Sequence, residues 1–273
     1  MVITHGHLLG GRVLYSQPAT GFRSGIEPVL LAASVPARPG DRVLEAGTGA
    51  GAGLLCLGVR VPGVHGTGVE IDPAMAGLAA ANVRSNRLTG IEIITDRIED
   101  AAFAFPNDHA PSGHAPSGHA QFDHAQFDHA PSGHARFDHA MANPPYHPHG
   151  GSASPVAERE TAKRGSAPLM QAWIECLSRP LRHRGSLTLI VPAGMVAACL
   201  TAMGGCGCPC TVLFPLWPKA GRPARLILLR GVKSARSPMQ VMPGLVLHQP
   251  DGSFTAAAQA ILRDAAALAL DRV

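Results

Sequence analysis

A buried-strand pattern, a glycine-rich turn and a helix pattern follow one another without interruption at residues 41–60. The strand is predicted at DRVLEAG and the helix at AGAGLLCLGVR, and Gly47, Gly49 and Gly51 mark the turn between them. A strand that passes into a helix in this way is typical of a sheet covered by helices. This segment therefore directs the chain towards an α/β fold.

The same alternation continues along the chain. Four further strands are predicted at HGTGVEID, IEIITD, FDHAMANPPY and SLTLIVPAG, and a helix at DPAMAGLAAANVRSN. The apolar runs CTVLFPL and ARLILLRG are joined by a Pro/Gly/Lys segment, which favours a terminal antiparallel hairpin. We predict an open seven-stranded sheet that is mostly parallel and carries helices on both faces.

The sequence indicates a single domain over residues 1–273. Residues 1–40 form an N-terminal lead-in that ends in the helix IEPVLLAASV, stopped by prolines. Residues 106–136 are an insertion, and residues 232–273 are a C-terminal extension that ends in the helix AAAQAILRDAAALAL.

The insertion carries a repeat in which His-Ala recurs every five residues, and the last unit, RFDHA, runs into the fourth strand. The histidines of the repeat are His109, His114, His119, His124, His129, His134 and His139. A five-residue period matches neither a helix nor a strand, so a solvated loop copied from the entry to the fourth strand is expected. A histidine metal tract is the alternative. The cysteines of CGCPC fit no common zinc spacing, and no metal is expected there.

The composition is that of an ordinary globular enzyme. Hydrophobic residues make up 46% of the chain, and the net charge of +4 is compatible with a nucleic-acid partner without requiring one. No apolar segment resembles a signal peptide or a membrane span. We therefore expect a cytoplasmic protein whose six cysteines are thiols.

The glycine turn has the form acid-x-Gly-x-Gly-x-Gly, with Glu45 at the end of the strand. Glycines let the backbone pass close to a bound nucleotide, and the helix that follows favours electron-rich groups. A pyrophosphate beside Glu45 would be repelled, whereas a sulfonium with an α-amino group would not. The pattern favours S-adenosyl-L-methionine over NAD.

Acids also follow the next two predicted strands. Glu70 and Asp72 end the second strand, and Asp96 ends the third. An acid at the second tip can bind both ribose hydroxyls, and Asp96 can accept a hydrogen bond from the adenine amino group. Each alone is more often a solvated or capping residue. Acids on three successive strand tips favour a nucleoside site.

The fourth strand ends in Asn143, Pro144, Pro145 and Tyr146. The prolines stiffen the backbone and donate no N–H. The Asn143 side-chain oxygen and the next carbonyl can then both accept hydrogen bonds from one NH2 group. Alignment of that nitrogen with a methyl donor would drive a one-step transfer, and Tyr146 offers a face for stacking a flat base.

With these motifs, the chain resembles the class I Rossmann-type methyltransferases that carry Asn-Pro-Pro-Tyr. Within them it is similar to the tRNA1(Val) adenine-N6 methyltransferase family, which modifies the adenine next to the anticodon. Four further segments carry this resemblance: LLGGRVLYSQPATGFRSGIEPVLLAA, ERETAKRG, PKAGRPARLILLRG and LVLHQPDGSFTAAAQAIL.

The resemblance implies roles for particular residues. The three glycines would line the cofactor loop, Glu70 would hold the ribose and Asp96 the adenine, and residues 143–146 would form the catalytic pocket. Glu27 stands where the family tends to carry an aspartate near the methionine end of the cofactor. Candidate phosphate contacts are Arg12, Arg23, Lys163, Arg164, Lys219, Arg222 and Arg225.

Three functions remain open at the level of sequence. The first is N6-methylation of a tRNA adenine, with tRNA as partner and no obligate protein partner. The second is methylation of a glutamine amide in a release factor, disfavoured because few residues precede Glu45. The third is non-catalytic binding of S-adenosylmethionine or RNA. An NAD-dependent oxidoreductase is a weaker alternative.

Overall fold

The computed structural model describes residues 2–20, 23–101, 137–144 and 167–271 of the chain. Several predicted features lie outside these ranges. They are the repeat at 106–136 and the site residues Pro145, Tyr146, Lys163 and Arg164.

A nine-stranded mixed sheet forms the centre of the described structure. Its strands are β3 (Arg42–Ala46), β4 (His65–Glu70), β5 (Ile91–Thr95), β6 (Phe137–Ala142), β7 (Leu181–Pro192), β8 (Cys210–Lys219), β9 (Leu226–Val232), β10 (Gln240–Val241) and β11 (Leu245–His248). The order β5-β4-β3-β6-β7 is parallel throughout, and β9 then lies antiparallel between β7 and β8. The predicted mostly parallel sheet with a terminal antiparallel hairpin is confirmed.

Two short strands enlarge the sheet beyond the predicted seven. Both β10 and β11 pair in parallel with β8, in the region expected to be only an extension. With two and four residues, they are too short to show a periodic pattern in the sequence.

Helices cover both faces of the sheet. They are α1 (Glu27–Ser34), α2 (Ala52–Arg60), α3 (Pro73–Ser85), α4 (Ala167–Ser178), α5 (Val196–Gly205) and α6 (Ala256–Asp264). Successive β3 residues Val43 and Leu44 belong to two separate apolar clusters. Because neighbouring strand residues point to opposite faces, each face has its own core. The predicted two-sided burial is confirmed.

The N-terminal lead-in contains a separate hairpin that the sequence did not predict. Strands β1 (Ile3–Leu8) and β2 (Val13–Pro18) are antiparallel to each other. Asn82 of α3 and Asn86, directly after the end of that helix, join β2 to the domain. Asn82 pairs with the N–H and C=O of Ser16 at 3.0 and 2.8 Å, and Asn86 pairs with those of Leu14 at 2.8 and 2.7 Å. Side-chain amides therefore replace a neighbouring strand.

The C-terminal end of α1 is closed by distant parts of the chain. Arg60 donates to the carbonyls of Ala32 and Val35 at 2.9 and 2.6 Å. The N–H of Leu268 donates to Ala33 at 2.8 Å, and the guanidinium of Arg230 donates to Ser34. Helix ends leave carbonyls without intrahelical partners. Here each of the four carbonyls at this end, those of residues 32–35, accepts a hydrogen bond.

Helix α6 is shorter than predicted. It ends at Asp264, and Ala265 follows in the left-handed region with φ of +58°. The expected helix continued to residue 270. The segment instead turns so that Leu268 reaches the end of α1, and Leu270 is fully buried. Tertiary burial therefore overrides the high helix propensity of the alanines.

Among the described residues, none of the helices has both the length and the apolar character required to cross a membrane.

Candidate active site

The glycine turn is a backbone cradle at the carboxyl end of β3. Gly47, Gly49 and Gly51 have φ of +63°, +57° and +89°, a region that favours glycine. The N–H groups of Gly47 and Thr48 both donate to the carbonyl oxygen of Val69, at 2.8 and 3.1 Å. The turn is therefore tied to β4 before the chain enters α2.

Glu45 supports this turn from below. It is 4% exposed, and its carboxyl accepts the hydroxyl of Thr48 at 2.5 Å and the backbone N–H of Leu54 in the first turn of α2. A Cβ on Gly53 would lie 2.1 Å from Glu45 Oε1, so glycine is needed there for space. Burial raises the pKa of Glu45 to about 8, assisted by the nearby charge of Glu70 and opposed by the two hydrogen bonds.

This position differs from the expected one. The sequence analysis placed the Glu45 charge opposite a cationic ligand, but the structure turns the carboxyl beneath the loop. The helix N-terminus explains the difference, since its free N–H groups attract an acid. Direct contact between Glu45 and a ligand stays a prediction.

Glu70 lies at the tip of β4 and faces the glycine turn. Its carboxylate accepts the N–H of Gly49 at 2.8 Å and the N–H of Asp72 at 3.0 Å. Asp72 is exposed and caps α3 by accepting the N–H groups of Ala74 and Met75, at 2.8 and 3.4 Å. A carboxylate has about four acceptor positions. Glu70 thus keeps capacity for further donors, whereas Asp72 has a structural task.

Asp96 follows β5 and Glu27 begins α1. The backbone N–H of Asp96 donates to the carbonyl of Glu70 at 3.0 Å, which fixes these two tips beside each other. Its own carboxylate accepts the N–H of Arg97 at 2.8 Å. Glu27 is half-buried at the first turn of α1, and a Cβ on Gly25 would lie 2.3 Å from Glu27 Oε2. The role of both acids in binding a cofactor stays a prediction.

Asn143 leaves the end of β6 beside the glycine turn. The preceding residue, Ala142, is the register partner of Ala46, so Asn143 and Gly47 emerge from neighbouring strands at the same height. The Oδ1 atom of Asn143 is buried and has no hydrogen-bond partner among the described residues. Buried polar atoms are rarely left unpaired without a reason. Pro144, which follows, is buried.

Trp173 of α4 is a residue of this region that the sequence analysis missed. A Cβ on Gly47 would lie 2.6 Å from its Cη2 atom and 3.2 Å from its Cζ3 atom. The six-membered ring of the indole therefore covers the first glycine of the turn. A single aromatic residue in an apolar helix gives no signal in the sequence, because it equally suits a core position.

Thr48, Gly53 and Asn82 were also missed. Asn82, besides holding the hairpin, donates to the carbonyl of Ala50 at 2.9 Å and so connects α3 to the turn. Only the position of Thr48, within the glycine pattern, could have drawn attention to it. Gly53 acts through its close approach to the Glu45 carboxyl, and Asn82 through residues far away in the sequence.

The described basic residues differ in what they contact. Arg12 donates to the backbone at the end of α6 and lies 3.8 Å from an aspartate there. Lys219 Nζ donates to the carbonyl of Pro250 at 2.9 Å. Arg23 and Arg222 are exposed. Binding of RNA by any of them stays a prediction.

Potential metal ligands do not converge in the described part of the chain. There, no group of three or more His, Cys, Asp or Glu side chains could hold an ion. The cysteines of CGCPC are free, and burial raises the pKa of Cys208 to about 12 and that of Cys210 to about 11. These two thiols are accordingly protonated at neutral pH.

Comparison with known proteins identifies the architecture. No family model matches the chain, and no curated protein does. The crystal structure of a predicted O-methyltransferase from Agrobacterium tumefaciens is similar with a TM-score of 0.65, at 21% identity, over 90% of this chain and 100% of that one. TrmN from Thermus thermophilus is more distant, with a TM-score of 0.45 at 17% identity over 73% of this chain and 46% of that one.

The similarity at this level of identity concerns the fold. Sheet order, the reversed strand β9 and the glycine turn after β3 agree with it. The chain therefore has the Rossmann-like fold of class I methyltransferases.

Proposed function

We propose that this protein uses S-adenosylmethionine to methylate a planar amino nitrogen, the N6 of an adenine in tRNA. The target suggested by the sequence resemblance is the adenine next to the anticodon of a valine tRNA. One observation carries the proposal: the buried Oδ1 atom of Asn143 beside the glycine turn, which has no partner in the described part of the chain.

The described residues fit the cofactor. The glycine turn is bound to the tip of β4 through the N–H of Gly49, and within 4 Å a Cβ on Gly49 would meet only Met75 Cε, at 3.9 Å. This leaves open space next to Glu70, whose carboxylate can still accept ribose hydroxyls. Asp96 lies on the next tip, within reach of a purine amino group. Bound S-adenosylmethionine would supply an electrophilic methyl group.

Asn143 suits an NH2 group better than a hydroxyl. An amide oxygen accepts a hydrogen bond but is too weak a base to remove a proton from a hydroxyl group. An amino group does not have to lose a proton before it attacks the methyl group. A hydrogen bond to Asn143 is sufficient to orient its nitrogen and lone pair. The same geometry would serve a glutamine amide, so the release-factor alternative shares this step.

The choice of tRNA rests on the sequence resemblance and on the positive net charge. The exposed side chains of Arg23 and Arg222 are available for phosphate groups. Lys163 and Arg164 are further candidates from the sequence. An unpaired base would need to leave its stack to reach Asn143.

The test is transfer of labelled methyl groups from S-adenosylmethionine to bulk tRNA from a strain that lacks the modification. We expect N6-methyladenosine in nucleoside digests and no label in a release factor offered in parallel. Label in the release factor alone would establish the alternative. Absence of label in both, with the cofactor bound, would refute the proposed catalytic activity.

A further inference from the structure

The benzene ring of Trp173 occupies a defined place beside the glycine turn. It lies so close to Gly47 that any side chain at that position would collide with it. Glycine is thus needed at position 47 for two independent reasons, its positive φ and the indole above it. The contact joins α4 to the end of β3.

The same helix, α4, also lies close to the turn that comes after β5. Trp173 packs against the apolar cluster that contains Ala46, Val69 and Ile98. These three residues adjoin the tips of β3, β4 and β5. Cys176, one helical turn further on, lies within the electrostatic influence of Glu99 and Asp100, which raises the pKa of its thiol in addition to the larger effect of burial.

Trp173 therefore lies at the tip of β3, against Gly47. Glu70 and Asp96 stand on the next two tips of the same sheet edge. The indole of Trp173 is half-buried. Its N–H makes no hydrogen bond among the described residues and is not one of their buried unpaired atoms, so it is open to solvent. Trp217, the other tryptophan of the chain, donates its N–H to the carbonyl of Pro243 at 2.9 Å. The hydrogen bond of Trp217 is thus satisfied within the protein, whereas that of Trp173 is not.

We infer that Trp173 forms the flat wall of the cofactor site and packs against the purine ring of the bound nucleoside. This inference rests on the proposed function, because it requires that the strand tips bind an adenine nucleoside. An indole beside a purine gains from stacking whatever the exact substituents, since every base has a π-face. Trp173 would contribute to affinity for the adenosine part and not to the transfer step.

The chain allows a direct optical test, because it has only two tryptophans. In the Trp217→Phe protein, all indole fluorescence comes from Trp173. We expect S-adenosylhomocysteine and adenosine each to change this emission, and L-methionine to leave it unaltered. Trp173→Phe, which keeps only Trp217, is the matched control and should show no change with any of the three.

Affinity provides a second readout. By calorimetry, Trp173→Leu should bind S-adenosylhomocysteine at least about fivefold more weakly, and Trp173→Phe less than about threefold, because one base stacked on an aromatic ring is worth roughly 1–3 kcal/mol. Equal thermal transitions would show that the variants fold alike. If Trp173→Leu does not fold, the titration of Trp217→Phe decides alone.

The outcomes separate the inference from the function beneath it. If S-adenosylhomocysteine binds by calorimetry while the Trp173 emission stays constant, the inference is wrong and the cofactor proposal stands. A response to L-methionine in place of adenosine would overturn the purine assignment. If neither S-adenosylmethionine nor its product binds at all, both proposals fail.

Discussion

The C-terminal end of α1 and the crevice at the strand tips treat buried polar groups in opposite ways. At α1, every one of the last four carbonyls has a donor, two of them from Arg60. In the crevice, which is formed by the glycine turn at 47–51 and the strand ends at Glu70, Asp96 and Asn143, the buried Asn143 Oδ1 has no partner among the described residues. Both regions bury polar groups that would be hydrogen-bonded to water in the unfolded chain.

The difference distinguishes a region that stabilises the fold from a region that serves activity. A buried polar group that is fully paired adds to stability, whereas one left unpaired costs roughly 1–3 kcal/mol. The α1 junction is therefore predicted to determine stability, and the crevice to determine activity at some expense of stability. Even at α1 the pairing is incomplete, since the Nε atoms of Arg60 and Arg230 lack partners. Their terminal guanidinium nitrogens nevertheless donate hydrogen bonds to the carbonyls at the end of α1.

The largest effect is expected at Asn143. Asn143→Ala removes the acceptor for the substrate amino group, and methyl transfer should fall by at least about 100-fold, the loss typical of one preorganised hydrogen bond in a transition state. Binding of S-adenosylmethionine should remain measurable by calorimetry, and the free energy of unfolding should not fall, because the buried Oδ1 atom has no partner to lose among the described residues. Activity near that of the parent would remove Asn143 from the mechanism.

Arg60 should show the opposite behaviour. Arg60→Met removes two hydrogen bonds to carbonyls at the end of α1, and we expect a loss of about 2–3 kcal/mol in the free energy of unfolding. Chemical denaturation measures this loss, while kcat of the folded variant should be unchanged. A variant as stable as the parent would show that the helix end does not need these donors.

The buried acid of the crevice gives a dependence on pH. The pKa of Glu45 is raised by burial from about 4.5 to about 8, so the folded state holds its proton more tightly than the unfolded state. Its contribution to stability is fully present below about pH 4.5 and is lost as the pH rises to about 8, by at most about 1.4 kcal/mol per pH unit. Denaturation of the parent and of Glu45→Gln across this range should give a difference in the free energy of unfolding that follows this slope, because other titrating groups such as His139 are common to both proteins.

Asn82 links the crevice to a third region, because it holds the N-terminal hairpin and also donates to the carbonyl of Ala50 in the glycine turn. Asn82→Ala should lower the free energy of unfolding by about 1–2 kcal/mol and weaken cofactor binding. Asn86→Ala is the matched control, since it loosens the same hairpin without touching the turn. Equal cofactor affinity in the two variants would contradict the link.

The smallest effect is expected from the repeat. Its five-residue period predicts neither a helix face nor a strand face. A chain without residues 110–134 should therefore transfer methyl groups at a rate within about twofold of the parent. The same transfer assay measures this rate. A large loss would give the repeat a role in the crevice.

Local patterns predicted most of the sheet. Strands β3 to β9 each have an apolar run bounded by turn residues, and the spacing of the glycines in the turn predicts where the site lies. The hairpin β1–β2 escaped prediction because β1 is largely exposed and β2 is held by asparagines far away in the sequence. Local periodicity carries no information about such partners.

The chemistry of the site was predictable only in part. The common location of Glu70, Asp96 and Asn143 could be predicted from their places at strand ends alone, since parallel strands bring their carboxyl ends to one edge of the sheet. The orientation of Glu45 does not, because the carboxyl could equally face a ligand or the start of α2. Trp173 comes from an unremarkable apolar helix, and only the three-dimensional structure brings it over Gly47.

The closure of α1 has a consequence for the time at which the protein folds during synthesis. Residue 34 receives its donor from Arg230, 196 positions later, and the donor to Ala33 comes from Leu268. A growing chain on the ribosome has already exposed α1 long before these partners exist. The helix that precedes the glycine turn therefore completes its contacts only at the end of translation, and an incomplete chain would present it to chaperones and proteases with open carbonyls.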